Sequence, residues 1–327
     1  MKVVVAGAGA IGGYIGACLA RAGQDVTLFA RGPHLRAMEA HGLRVRSEAG
    51  DFEVRPAVTG DLGSIGPADV VFLGVKAHAL TELAPRLTPL LGPDTIVVST
   101  QNGIPWWYFQ RHGGDLDGTR LELVDPGGAI AEAIAPERVV GSIAYFATIV
   151  AEPGVIQHVE GNRLTIGEPD GSRSDRAKAL AEALIAGGLR APMTTRIRHE
   201  IWVKLLGNMS FNPVSALTRA TLVEMARDPD VGPLIRQIMA EAEAVVTRLG
   251  MELPVSIDKR MAGAEKVGEH KTSMLQDLEA GRPMELDAVV GAVVELGDRL
   301  GIPMPVTRTV YACAKLLDRQ RGQTPSR

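Results

Sequence analysis

The chain has 327 residues, 35 lysines and arginines against 38 aspartates and glutamates, a net charge of -3 and two cysteines. This length favours two domains of ~150 residues each, and the slightly negative charge argues against nucleic-acid binding, which needs a basic excess. Because Cys18 and Cys313 lack partners at metal-ligand spacing and no apolar run is long enough for a membrane helix, we predict a cytoplasmic protein without a metal site.

Strands and helices alternate over the first part of the chain. Short β-branched runs predict buried strands, and longer periodic runs predict helices. The predicted strands are Lys2–Ala6, Asp25–Phe29, Asp69–Val75 and Thr95–Ser99, the helices are Ile11–Ala22, Leu35–Ala40 and Leu80–Leu91, and a hairpin is predicted at Leu43–Ser47 and Phe52–Val58. This alternation predicts an α/β fold with a doubly wound, mostly parallel sheet.

The pattern changes twice further along the chain. A strand-rich patch over Val139–Val150, Gly154–His158 and Arg163–Gly167 is followed by a helix over Arg173–Ala186 and a last strand over Leu189–Thr195. Long helical periods then cover His199–Ala216, Val231–Leu249, Ile257–Val267, Glu285–Leu300 and Val306–Arg319. We therefore predict a first domain of residues 1–196 and an all-α domain of residues 197–327 that ends in a polar, frayed tail. The long helices could bury one another within one chain or pack a homodimer.

A glycine-rich turn joins the first predicted strand to the first predicted helix. Its sequence is Gly7-Ala8-Gly9-Ala10-Ile11-Gly12, which fits G-x-G-x-x-G. In such turns the first glycine permits the sharp bend, the second lets the backbone approach a pyrophosphate, and the third allows close packing of helix on strand. The pyrophosphate then binds the amides of the helix N-terminus. This context predicts a Rossmann-type dinucleotide-binding domain.

The residues at the ends of the following strands predict which dinucleotide binds. The second strand ends at Ala30-Arg31 and lacks the acidic residue that binds the ribose 2′-hydroxyl of NAD. Arg31 can donate paired hydrogen bonds to a 2′-phosphate, which favours NADP, although a solvated surface arginine is the alternative. Lys76 and Asn102 follow the next two strands, where Lys76 could contact the adenosine or phosphate side and Asn102 the nicotinamide or a substrate carbonyl.

The first long helix of the second half carries a polar stripe. Lys204, Asn208 and Asn212 are spaced by four residues and therefore share one helix face. Buried polar groups need partners. A substrate with a carboxylate and a carbonyl would supply them, and so would hydrogen bonds within the protein with Lys204 extending to water. The segment from Lys271 to Asp287 mixes hydroxyls and carboxylates, and by itself it indicates only a capped helix and a loop.

Taken together, these segments resemble the ketopantoate reductase family (2-dehydropantoate 2-reductase). The matching segments are Gly7–Gly12, Ala30-Arg31, Val75–Ala77, Gln101–Gly103, Trp202–Leu205 with Asn208 and Asn212-Pro213, Ser273–Asp277 and Glu285–Asp287. The resemblance implies an NADPH-dependent oxidoreductase that reduces 2-dehydropantoate to pantoate, a step of pantothenate biosynthesis.

The resemblance also implies residue roles. Lys204 would be the general acid that protonates the carbonyl oxygen, and Glu285 would bind the substrate hydroxyl and support the catalytic geometry. Ser273 would bind the substrate carboxylate, Asn208 and Asn212 would bind other polar groups of the substrate, and Asn102 would lie next to both cofactor and substrate. A free lysine has a pKa of ~10.4, so an efficient acid would need a lower value.

Two departures from the family pattern leave the substrate open. After Val75–Ala77 the chain continues as His78-Ala79, whereas the family commonly has a polar residue two positions after Ala77. The loop Trp106-Trp107-Tyr108 is unusually aromatic, and an insertion-like segment at 111–136 follows it. The aromatic side chains could be packing or could reshape the pocket for another branched or aromatic 2-oxo acid. A non-catalytic NADPH sensor is a further alternative, which the joint presence of a proton donor and substrate-binding groups disfavours.

Overall fold

A computed structural model describes residues 1–321, and the tail at 322–327 lies outside the described residues. The described chain divides into two compact units. The first comprises Met1–Gln101, Trp106–Arg120 and Gly127–Ile197, and the second comprises Asn102–Pro105, Leu121–Pro126 and the chain from Arg198 onward. Two short segments that precede residue 197 thus belong to the second unit, and the domain limits at 196 and 197 stay a prediction.

The first unit is built on a sheet. Within residues 1–321 this sheet has nine strands, in the order β4-β3-β9-β8-β7-β6-β1-β2-β5. The strands are β1 Lys2–Ala6, β2 Asp25–Phe29, β3 Leu43–Arg46, β4 Phe52–Val54, β5 Ala57–Thr59, β6 Ala68–Leu73, β7 Leu91–Ser99, β8 Val139–Glu152 and β9 Val155–Gly167. The β3–β4 and β8–β9 pairs are antiparallel and the other pairs are parallel. The predicted α/β class with a mostly parallel sheet is confirmed.

The first unit also contains α-helices. They are α1 Ala10–Arg21, α2 Gly32–His41, α3 Leu80–Leu83, α4 Ala129–Ala133 and α5 Asp175–Ala186. The residues Val3–Ala6 of β1 are fully buried, as expected for a central strand. Helix α1 lies close to the sheet because Gly16 leaves no side chain there; a Cβ at this position would stand 2.5 Å from Leu28 Cδ2. This close packing fixes the N-terminus of α1 at the end of β1.

Two predicted elements differ from the observed ones. The predicted arm Phe52–Val58 is two strands, because β3 begins at Leu43, directly after the Gly42 cap of α2, and so offers no partner beyond Val54. Strand β5 pairs instead with β2 in parallel. The predicted helix Leu80–Leu91 is a short α3 followed by 3-10 turns over Ala84–Leu90, a stretch that contains Pro85 and Pro89.

Two further differences concern the strand-rich patch. The predicted separate strands at Gly154–His158 and Arg163–Gly167 form one strand, β9, whose register against β8 shifts near Gly161. Gly161 has a φ of +70°, and a Cβ there would meet the Tyr145 carbonyl at 2.3 Å. The predicted last strand Leu189–Thr195 makes only isolated bridges, at Arg190 and Met193.

The second unit is helical. Its helices are α6 Ile197–Thr218, α7 Leu222–Arg227, α8 Val231–Arg248, α9 Ile257–Val267, α10 Ser273–Glu279, α11 Ala292–Leu300 and α12 Pro305–Gln320, with no strand among the described residues from 198 to 321. The all-α prediction is confirmed. The predicted helix Glu285–Leu300 differs locally, since it contains a π-helical turn at Asp287–Gly291 before α11. No helix within residues 1–321 is both long and apolar enough to span a membrane.

Candidate active site

The glycine-rich turn after β1 has two glycines that packing requires and one that leaves space. Gly7 has a φ of +114°, and its missing Cβ would lie 2.5 Å from Val75 Cγ1. A Cβ on Gly12 would lie 2.2 Å from the Gly7 carbonyl oxygen. At Gly9 the nearest atom would be 3.9 Å away, and no side chain caps the N-terminus of α1. This geometry fits a pyrophosphate, which needs close backbone approach and helix amides.

A histidine that the sequence did not single out braces this turn. His34 Nδ1 accepts a hydrogen bond from the Gly154 N–H at 3.0 Å, and Nε2 lies 2.9 Å from the Ala8 carbonyl oxygen. Since Nδ1 is the acceptor, Nε2 carries the proton and donates to Ala8. Burial lowers the pKa of His34, which favours this neutral form. The contact joins residues far apart in sequence, so spacing could not have predicted it.

The other predicted cofactor residues follow neighbouring strands of the same sheet. Arg31 lies two residues after the end of β2, is exposed, and is the N-cap residue of α2. Lys76 follows β6, is half-buried, and precedes a 3-10 turn. Gln101 follows β7 and donates to the carbonyl oxygens of Leu73 and Val75, both at 2.7 Å. The carboxyl ends of β2, β1, β6 and β7 are therefore the edge where these residues gather, as in other dinucleotide-binding sheets.

The predicted catalytic residues meet in the second unit. Helix α6 carries Lys204, Asn208 and Asn212 at successive turns. Lys204 Nζ donates to Asn102 Oδ1 at 2.9 Å, and Asn102 Nδ2 donates to Glu285 Oε2 at 3.3 Å. The chain thus brings together a lysine, an amide and a carboxylate that are up to 183 residues apart in sequence.

The surroundings of Lys204 shift the equilibrium of its ammonium group towards the neutral form. Burial lowers the pKa of its ammonium group to about 8, and the negative charge of Glu285 acts in the opposite direction. Burial, which disfavours the charged form by removing it from water, is the larger of the two effects. An ammonium group with this pKa is mostly protonated at neutral pH yet releases its proton far more readily than an ordinary lysine.

A second polar pair lies further along α6. Asn212 is almost fully buried, and its Nδ2 lies 3.5 Å from Ser273 Oγ. Ser273 is exposed at the first turn of α10, and the preceding Thr272 caps that helix by accepting from the Leu275 N–H. Asn208 is half-buried one turn from both Lys204 and Asn212. An anchored amide beside an accessible hydroxyl can bind a carboxylate or hydroxyl of a small molecule.

The loop that carries Asn102 is fixed by its glycine. Gly103 has a φ of +93°, and a Cβ there would lie 2.2 Å from the Ala288 carbonyl oxygen. The next residue, Ile104, donates its N–H to the same oxygen at 2.9 Å. The glycine of the Asn-Gly pair is therefore needed for a close backbone contact as well as for a turn. The sequence alone did not show which of the two applied.

The aromatic loop belongs to the core of the first unit. Trp106, Trp107 and Tyr108 are 5%, 1% and 1% exposed. The Trp107 indole N–H donates to Ser99 Oγ at 2.8 Å, and its ring lies against Gly141, where a Cβ would stand 2.7 Å away. Of the two interpretations that the sequence left open, packing is the one observed, so these aromatic residues give no reason to expect an altered pocket.

Comparison with known proteins agrees with the geometry. Family models for "Ketopantoate reductase PanE/ApbA" and its C-terminal region match residues 3–106 and 196–318. A 2-dehydropantoate 2-reductase of Mesorhizobium japonicum is 50% identical over 323 residues, which cover 98% of this chain and 99% of that protein. A crystal structure from Ralstonia solanacearum MolK2, provisionally assigned as a ketopantoate reductase, has a TM-score of 0.94 and 41% identity over 98% of both chains.

A more distant structure shares the fold alone. The ternary structure of D-mandelate dehydrogenase with NADH and anilino(oxo)acetate has a TM-score of 0.84 and 21% identity, over 98% of this chain and 100% of that chain. The two family models together span well over half of this chain, and the Mesorhizobium protein matches nearly all of it. The chain therefore belongs to the ketopantoate reductase (PanE/ApbA) family of oxidoreductases.

Proposed function

We propose that this protein reduces 2-dehydropantoate to pantoate with NADPH. The observation that carries the proposal is the cluster of Lys204, Asn102 and Glu285, in which burial lowers the pKa of Lys204 to about 8. The activity of the Mesorhizobium relative names the substrate. The cluster supplies the proton that reduction of a ketone requires.

The residues of this cluster act on the carbonyl oxygen. NADPH, when bound, would supply a hydride to the carbonyl carbon. As the C–H bond forms and the C=O π bond breaks, negative charge develops on the oxygen, and the Lys204 ammonium group stabilises it and then transfers its proton. Asn102 accepts a hydrogen bond from Lys204 Nζ and so directs the ammonium group. Glu285 keeps Lys204 charged before the transfer.

The remaining polar residues of the second unit hold the substrate. We assign the substrate carboxylate to Ser273, whose hydroxyl is exposed beside the Asn212 amide. Asn208 and Asn212 bind the other polar groups, and Glu285 accepts a hydrogen bond from the substrate hydroxyl. These contacts fix the carbonyl carbon in one orientation, which converts binding energy into rate.

The first unit supplies the cofactor site. The residues that would hold NADPH are Gly7, Ala8, Gly9, Ala10, Ile11 and Gly12 at the pyrophosphate, Arg31 at the 2′-phosphate, Lys76 on the adenosine or phosphate side, and Asn102 at the nicotinamide. The open space at Gly9 and the uncapped end of α1 support this assignment. We assign cofactor binding to residues 1–196 and catalysis to residues 197–327. We also propose that the enzyme acts in the cytoplasm and binds neither nucleic acid nor membrane. It would be a monomer or a homodimer, and light scattering would distinguish the two.

The test is NADPH oxidation, followed by absorbance, with 2-dehydropantoate beside a panel of 2-oxo acids that includes phenylglyoxylate. We expect fast turnover of 2-dehydropantoate that collapses in Lys204→Ala. The matched control is Lys271→Ala, which removes an exposed lysine paired with Glu279 in the same unit and should leave the rate unchanged.

Each alternative has its own outcome in this assay. Better turnover of a different 2-oxo acid would replace the substrate and retain the chemistry. NADPH binding without turnover of any acid, and without a difference between wild type and Lys204→Ala, would favour the non-catalytic sensor. Repeating the assay with NADH tests the preference that Arg31 predicts.

A further inference from the structure

The π-helical turn at Asp287–Gly291 presents a backbone acceptor to the catalytic loop. The Ala292 N–H donates to the Asp287 carbonyl oxygen, five residues back, instead of to Ala288, four residues back. The Ala288 carbonyl oxygen instead accepts the Ile104 N–H at 2.9 Å. Single π-helical turns inside α-helices are often found at functional sites. Here the turn holds the loop that begins at Asn102.

This backbone contact reaches the proton donor in two steps. Gly103 lies so close to the Ala288 carbonyl that no side chain fits between them. The preceding residue, Asn102, holds Lys204 with its Oδ1 and Glu285 with its Nδ2. Movement of the π-helical turn therefore moves Asn102, and with it the acceptor of the Lys204 ammonium group.

Two side chains of α12 hold the turn in place. The Asp287 carboxylate accepts a hydrogen bond from the Tyr311 hydroxyl at 2.6 Å, and both of its oxygens contact Lys315 Nζ. The Tyr311 hydroxyl also lies against Gly291, where a Cβ would stand 2.8 Å from it. Helix α12 thus contacts the first and the last residue of the π-helical turn.

We propose that Asp287, held by Tyr311 and Lys315, is a positioning residue that keeps Asn102 in place against Lys204. This inference rests on the proposed function of Lys204 as the proton donor. Asp287 touches neither substrate nor cofactor in this assignment. Its effect passes through the π-helical turn, the Ala288 carbonyl and the Gly103 contact.

The expected effect follows from helix energetics. A regular α-helix would return the Ala288 carbonyl to Ala292, so the π-helical turn persists only while its surroundings hold it. When Asp287 loses its partners, the turn relaxes, Ile104 loses its acceptor and Asn102 shifts. Lys204 then loses a hydrogen bond that favours its charged form, and its pKa falls further.

The experiment compares Asp287→Asn and Tyr311→Phe with the wild-type enzyme. We expect kcat to fall by about tenfold or more, as is common when a catalytic group is displaced from its productive geometry. The alkaline limb of the pH profile should move to lower pH. The matched control is Asp298→Asn, which breaks an exposed ion pair with Arg308 between α11 and α12 and should change neither kcat nor the pH profile.

A second readout needs no turnover. In protein labelled with [13C]lysine, the Lys204 resonance, assigned by its loss in Lys204→Met, reports the pKa directly. A lower midpoint in Tyr311→Phe and Asp287→Asn supports the proposal even if the substrate assignment fails. Unchanged midpoint and kcat in Tyr311→Phe, a variant that keeps the ring against Gly291, would overturn it even if Asp287→Asn did not fold.

Discussion

Reduction by this enzyme should be lost as the pH rises through about 8. In the proposed mechanism the protonated form of Lys204 is the active one, and its pKa is about 8 where an ordinary lysine has 10.5. From this value, about nine-tenths of the enzyme is active at pH 7 and about one-tenth at pH 9, so the rate should fall ~tenfold between pH 7 and 9 and ~tenfold per pH unit beyond 9. An unburied lysine would place the same limb above pH 10.

The assay is kcat/KM for 2-dehydropantoate at saturating NADPH between pH 6 and 10, because this ratio reports the pKa of the enzyme before the substrate binds. Glu285→Gln removes the charge that raises the pKa of Lys204, so its limb should lie below that of the wild type. Lys271→Met removes an exposed lysine and should leave the limb in place. A wild-type limb at pH 10 or above, or an identical limb in Lys204→Arg, would refute the reasoning.

Three further predictions concern stability and cofactor binding. Lys204→Met should raise the free energy of unfolding at pH 7 by up to ~3 kcal/mol, because the lowered pKa means that folding disfavours the ammonium form. In chemical denaturation this gain should disappear above pH 10.5, where Lys204 is neutral in both the folded and the unfolded protein. Arg31→Gln should weaken NADPH binding by ~tenfold or more and leave NADH binding unchanged in fluorescence titrations, and equal losses for both would remove the 2′-phosphate assignment. Gly12→Ala should lower both the melting temperature and NADPH affinity, since its Cβ would meet the Gly7 carbonyl at 2.2 Å, whereas Gly9→Ala should lower affinity alone.

The features that the sequence predicted are those with a local signal. Strand β1 was bounded correctly because its apolar run ends in the glycine-rich turn, and the stripe of Lys204, Asn208 and Asn212 was visible because α-helical spacing is regular. The all-α character of the second unit followed from the same periodicity. In each case neighbouring residues in the chain carry the whole pattern.

The features that the sequence missed depend on contacts between distant segments. The π-helical turn has nearly the hydrophobic pattern of a regular helix, so Glu285–Leu300 was predicted as one uninterrupted element. The brace formed by His34 depends on a loop 120 residues away. The separation of β4 and β5 depends on the end of α2 at Gly42, which leaves β4 without a partner on β3 beyond Val54. Likewise, only burial in the fold establishes that the pKa of Lys204 is lowered.

The helix around Asp287–Gly291 contains one residue more than a regular helix would hold at that place. Deleting Ala288 would make the helix regular and would leave the residues on either side of it on their present faces. A design procedure that rewards ideal helices would favour this deletion and would report a more stable protein. In the shortened chain Ile104 would lose its hydrogen-bond acceptor and Asn102 would no longer be held in place. Efforts to stabilise this enzyme should therefore leave the irregular turn intact.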